Sequence, residues 1–182
     1  MDQINKLMAR HEKFVIAQMK ELNLKIPMKA TKYFQRALKA SKSLEYLEIS
    51  EVEFNMVEWD YISQGIIGNE SISRLRFHNM ELNEHNIGYV AQIIRQNTRI
   101  TSIRFDQIIF EGNTFQILIE SIRSMRKLES IEFSTSELSV EEVYMLKHAL
   151  RDCKRLTATT LIQDPVSSFK KLISRNLRLI LA

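Results

Sequence analysis

Large apolar residues return along this chain every 28 positions. Leu44, Ile72, Ile100, Leu128 and Leu156 open successive units. Three residues on stand Leu47, Leu75, Ile103 and Ile131, and two further on Ile49, Phe77, Phe105 and Phe133. Five beyond those come Phe54, Leu82, Phe110 and Leu138. A fixed period of this length is the signature of a repeat architecture. Each unit carries two shorter periods. Its first half alternates apolar and polar residues, which predicts a strand. Its second half steps by three and four, as in Trp59, Ile62 and Ile66, which predicts a helix. Columns such as Tyr33, Tyr61, Tyr89, Ile117 and Met145 are expected to face the core. A small-then-large pair recurs as Ala37-Leu38, Gly65-Ile66, Ser121-Ile122 and Ala149-Leu150.

Helix starts are marked as well. Asn55 with Glu58, and Ser139 with Glu142, have the spacing of capping boxes, in which each side chain satisfies the other residue's free backbone N–H. Asn83 and Asn113 occupy the same slot as weaker caps. One strand and one helix per unit cannot bury an apolar face alone, but stacked units share a continuous core. Strands pack about 4.8 Å apart and helices about 10 Å apart, so such a stack bends with its sheet on the inside.

These columns resemble the leucine-rich repeat family, specifically its 28-residue, ribonuclease-inhibitor-like class, over about residues 31–161. The resemblance implies an α/β solenoid with a parallel sheet on the concave face and helices on the convex face. The whole chain, 1–182, is expected to be one such domain. Residues 1–30 would supply an N-terminal cap helix and a first strand, 31–161 the repeats, and 162–182 a C-terminal cap helix. One departure stands out. The family usually places Asn or Cys in the ninth slot, where Asn bonds neighbouring backbones. Here that slot holds Val52, Met80, Ile108 and Ser136, so a looser or differently shaped turn is expected after each strand.

Charge divides the chain in three. Residues 1–43 carry 10 basic and 3 acidic side chains, residues 44–164 carry 12 and 19, and residues 165–182 carry 4 and none. The basic ends thus flank an acidic body that would repel phosphate, so nucleic acid is a secondary reading despite the high pI. Both ends read as amphipathic helices: Ile4, Leu7, Phe14 and Val15 on one, and Phe169, Leu172, Ile173 and Leu177 on the other. Caps are the plainer role for them, and docking on an anionic membrane or a partner is the alternative.

Cys153 is the only cysteine, so no intrachain disulfide forms, which fits a reducing compartment. No apolar run is long enough to span a membrane, and the N-terminus lacks a secretory h-region. A cytoplasmic or cytoskeleton-associated location is expected, with mitochondrial import as the alternative. Phosphate loops and zinc-protease motifs are missing, and no cofactor, metal site or catalytic residue is assigned. Ser50, His78 and Asp106 fall on neighbouring strands, but an open sheet supplies neither a pocket nor convergent N–H groups for nucleophilic catalysis.

Function is therefore expected on the concave sheet, at strand slots three, five and seven. The protein-binding candidates are Tyr46, Arg74, Arg76, His78, Arg104 and Asp106. Arg and Tyr often dominate interfaces, and adjacent Arg76 and Arg104 suit an acidic segment of a partner protein. The alternative is that Glu48 and Glu132 flank and neutralise the arginines. The chain reads as a non-enzymatic adaptor or structural subunit of a larger cytoskeletal, ciliary or organellar assembly. Regulation of an enzyme is a further option.

Overall fold

A computed structural model describes residues 21–24, 32–51, 53–134, 138–151, 153 and 155–161. Eleven elements alternate strand and helix: β1 (Glu21–Leu24), α1 (Lys32–Ala40), β2 (Tyr46–Ser50), α2 (Met56–Ile67), β3 (Arg74–Leu82), α3 (Ile87–Gln96), β4 (Ser102–Phe110), α4 (Thr114–Arg123), β5 (Ser130–Ser134), α5 (Val140–Leu150) and β6 (Ala158–Leu161). The strands form one parallel sheet in chain order. Right-handed crossovers in a single direction put every helix on the same side of such a sheet. The terminal segments expected to form caps lie outside the described residues.

The 28-residue columns become the sheet's register. Leu47 pairs with Leu75, Leu75 with Ile103, and Ile103 with Ile131; Ile49, Phe77, Phe105 and Phe133 pair in the same way. All eight are no more than 2% exposed. Burying a side chain of this size contributes about 1.5–3 kcal/mol relative to leaving it in water, so these two columns are the main drive for stacking. The first step is shorter, because Leu22 pairs with Leu47. On the helical side Trp59, Ile62, Ile66, Val90, Ile94, Phe115, Leu118, Val143 and Leu146 close the same core. The small column is explained by helix contact: a Cβ added to Gly65 would stand 3.0 Å from Leu38 Cδ1. Tyr33 departs from its column, being exposed where Tyr61 and Tyr89 are half-buried.

Both capping boxes form. Asn55 Oδ1 accepts from Val57 and Glu58 N–H while Glu58 accepts from Asn55 N–H, and Ser139 pairs reciprocally with Glu142. Asn83 is not a cap. Helix α3 begins at Ile87, and the Asn86 side chain instead accepts from Asn83 N–H and donates to Glu81 O. Asn113 does flank α4, without a side-chain cap bond.

A polar ladder stands instead in the turns between α2 and β3 and between α3 and β4. Asn69 donates through Nδ2 to Leu38 O and Ser41 O in the preceding unit and accepts at Oδ1 from Ser71 and Ile72 N–H. Asn97, 28 residues later, repeats this with Ile66 O, Asn69 O, and Arg99 and Ile100 N–H. Ser41 stands in the same column and accepts from Leu44 N–H. Met125 and Cys153 continue the column, and the Cys153 thiol lies 3.9 Å from both Ile122 O and Ala149 O.

Just past β2, and within β3 and β4, the chain turns in one common way. Glu51, Asn79 and Gln107, one per unit, all adopt positive φ, at 54°, 46° and 54°. After this bulge β3 and β4 resume pairing, from Met80↔Ile108 to Leu82↔Phe110. A left-handed conformation costs a non-glycine residue about 1–2 kcal/mol, less for Asn. Gln107→Gly should therefore raise stability by about 0.5 kcal/mol after the added chain entropy of glycine is subtracted. Gln107→Val should lower it by about 1 kcal/mol or more. Urea unfolding of the two variants checks the opposed signs.

Candidate protein-binding surface

The strand side chains that point away from the helices form one connected network, and all six candidate residues belong to it. The polar groups come from slots three, five and seven, because alternation has sent slots four and six into the core. Tyr46 Oη donates to Glu48 Oε2 at 2.7 Å. Arg76 reaches the same oxygen through Nη1 at 3.1 Å and Asp106 through Nη2. His78 Nδ1 lies 3.3 Å from Asp106 Oδ2. Arg104 Nη2 stands between Asp106 and Glu132, at 3.5 and 3.4 Å, and Ser134 donates to Glu132 at 2.8 Å. Arg74 lies over the Tyr46 ring, 5.5 Å from its centroid, and 3.7 Å from Glu21.

The arginines are thus not an uncompensated basic patch. Glu48, Asp106 and Glu132 interleave with them, which is the neutralised arrangement that the fifth-slot columns allowed. Sequence columns missed the central partner, because Asp106 is in slot seven and Arg76 in slot five. Their contact is diagonal across neighbouring strands, which long side chains can span.

The three arginines are held to very different degrees. Arg76 is largely covered and clamped by two carboxylates that are themselves nearly buried. Burial works against its charge, but the hydrogen bonds with Asp106 and Tyr46 and the charges of Glu48 and Asp106 outweigh it, raising its pKa. Burial, reinforced by the Glu48 hydrogen bond, likewise raises the Tyr46 phenol, keeping it a donor. Arg74 and Arg104 have side chains 50% and 40% exposed and only long ion pairs, which contribute at most about 1 kcal/mol each in water. The buried centre therefore carries two exposed cations and one aromatic ring at its margin.

A hollow of about 150 Å3 on this face is lined in part by Tyr46, Arg76, Arg104 and Glu132. Among the described residues there is no cluster of three metal-ligating side chains, and no helix long and apolar enough to cross a membrane.

No protein-family profile matches the chain, and no curated protein matches it in sequence. Solved structures do resemble it. Leiomodin-1 Actin-Binding Site 2 aligns at 15% identity with a TM-score of 0.56, over 79% of this chain and 86% of that one. The C-terminal domain of Caenorhabditis elegans tropomodulin aligns at the same identity and TM-score, over 79% of this chain and 92% of that one. At this level of identity the likeness establishes a shared fold: the chain has the α/β, leucine-rich-repeat-like architecture of the tropomodulin C-terminal domain and of the leiomodin-1 structure.

Proposed function

We propose that this chain is a non-catalytic protein-binding module that serves as a structural or adaptor subunit of a cytoskeletal assembly. It would be a short solenoid of the 28-residue, ribonuclease-inhibitor-like class, closed by its terminal segments and working in the cytoplasm. The observation that carries the reading is the sheet face itself. A network spanning β2 to β5 pre-organises Tyr46, Arg74 and Arg104 over a fixed centre, and pre-organised aromatic and Arg anchors are what interfaces use. Arg74 and Arg104 can exchange their long pairs for an acidic segment of a partner at little cost, whereas Arg76, His78 and Asp106 hold the platform. Actin is the first partner to try, because leiomodin-1, a protein of the same fold, is named for an actin-binding site.

The test is actin co-sedimentation and cross-linked affinity capture, comparing wild type with Arg74→Glu/Arg104→Glu. Binding weakened at least about tenfold by the double variant, or roughly 1.4 kcal/mol, supports the face. Equal recovery of every partner by both proteins rejects the sheet face. Capture of other proteins in a face-dependent manner, with no actin retained, rejects the actin assignment alone.

A further inference from the structure

A second surface, unused by that reading, lies where β2, β3 and β4 run into their helices. A groove of about 760 Å3 opens there. Its floor is aromatic: Phe54 meets Trp59 edge-on at 5.4 Å, and Trp59 stacks on Tyr89 at 6.2 Å. Its rim is apolar and open to water, with Met56 62% and Ile109 65% exposed. The fold does not require an apolar residue at Ile109, since the corresponding register in neighbouring units holds Glu53 and Glu81.

Acidic groups surround that rim. Glu51, Glu53 and Glu81 line the groove, and Glu84 and Glu111 line the adjoining hollow. Among the described residues, no Lys or Arg lines either one. The crowding is felt by the carboxylates themselves: the hydrogen bond with Glu81 and its negative charge hold Glu111 above the usual carboxylate range. Cations placed here would relieve repulsion as well as gain attraction.

We infer that this groove docks a basic amphipathic peptide segment of a partner protein, with apolar side chains against Met56 and Ile109 and Lys or Arg side chains against Glu53, Glu81 and Glu111. The surface is separate from the sheet face and has the opposite preference in charge. One chain can then hold two different neighbours, an acidic segment on the sheet and a basic one at the strand ends. Apolar contact would supply the affinity and the glutamates the orientation and the rejection of acidic competitors.

Trp59 is the chain's only tryptophan and lines the groove, so its fluorescence reports occupancy. The probe is a short synthetic amphipathic peptide of leucine and lysine, titrated into the full chain. The same peptide with Glu for Lys, and another with Ser for Leu, serve as comparisons. A saturable Trp59 response is expected from the Leu/Lys peptide alone. Ile109→Lys and Glu81→Lys should each weaken it at least about tenfold, while Arg74→Glu/Arg104→Glu leaves it unchanged. Circular dichroism melting confirms that each variant is folded.

A matching response to the Leu/Glu peptide overturns the inference. So does full binding by folded Ile109→Lys. Equal weakening by Glu120→Lys, on the exposed side of α4, would reduce the effect to general charge attraction and overturn it too. Concentration-dependent dimers in sedimentation, lost in Ile109→Lys, would assign the groove to a second copy instead of a partner.

Discussion

Phe105→Ala is expected to lower stability by about 4 kcal/mol, the usual cost of emptying a buried aromatic site. Phe105 is fully buried at the middle of the sheet. Its ring stacks on Phe77 at 5.4 Å on one side and on Phe133 at 5.1 Å on the other. Phe110 closes the stack at 6.5 Å. Aromatic pairs add about 0.5–1.5 kcal/mol each beyond their area, so the substitution loses two such pairs as well as the transfer term. The pattern of loss is specific. Stacked units are stabilised by nearest-neighbour contact, and Phe105 joins the units on either side of it. Guanidinium unfolding should show a lower midpoint and also a reduced m-value, as the two halves cease to unfold together. Phe105→Leu keeps most of the volume and should cost about 1.5 kcal/mol with the m-value retained. An unchanged m-value for Phe105→Ala would show that the stack is not what couples the halves.

Asn97→Ala is expected to cost about 3 kcal/mol although it removes only three side-chain heavy atoms beyond Cβ. The side chain answers four backbone groups, two in its own turn and two in the unit before. Ile66 O keeps a bond from Asn69 N–H, so the heavier loss falls on the Arg99 and Ile100 N–H groups. A buried donor left without a partner costs about 1–3 kcal/mol. Asn97→Ser should cost about half as much, because Ser41 shows that a hydroxyl in this column reaches the N–H three residues on. Thermal melts of the two variants decide it. Equal losses would mean that the donated bonds to the preceding unit, and not the accepted ones, carry the energy.

Much of this architecture is legible in the sequence because strand register and apolar period are the same fact seen twice. Leu47, Leu75, Ile103 and Ile131 are spaced alike because they must stack alike. The capping boxes are legible for a similar reason, since both partners lie within one turn. What escapes is bonding between unlike slots. The Asn69–Asn97 column has the same period as the apolar ones, but a search confined to the ninth slot passes over it. The positive φ of Glu51 and Gln107 leaves no mark, because neither is glycine and only their place in the bulge imposes it. At the site, the columns correctly gather Tyr46, Arg74, Arg76, His78, Arg104 and Asp106 on one face. They do not reveal that Asp106 and Glu48 occupy Arg76, since that requires diagonal distances. The groove at Ile109 was hidden for another reason: an apolar residue in one unit of an acidic column reads as noise until its exposure is known.

Cys153 closes the helix-to-strand column and is buried against the last described helix. Being the chain's sole sulfhydryl, it makes the last described unit its own clock. A thiol reagent reacts fastest when the last described unit opens, so labelling rates time that opening without any engineered probe. Opening events confined to the first described units would leave the clock running at its normal pace.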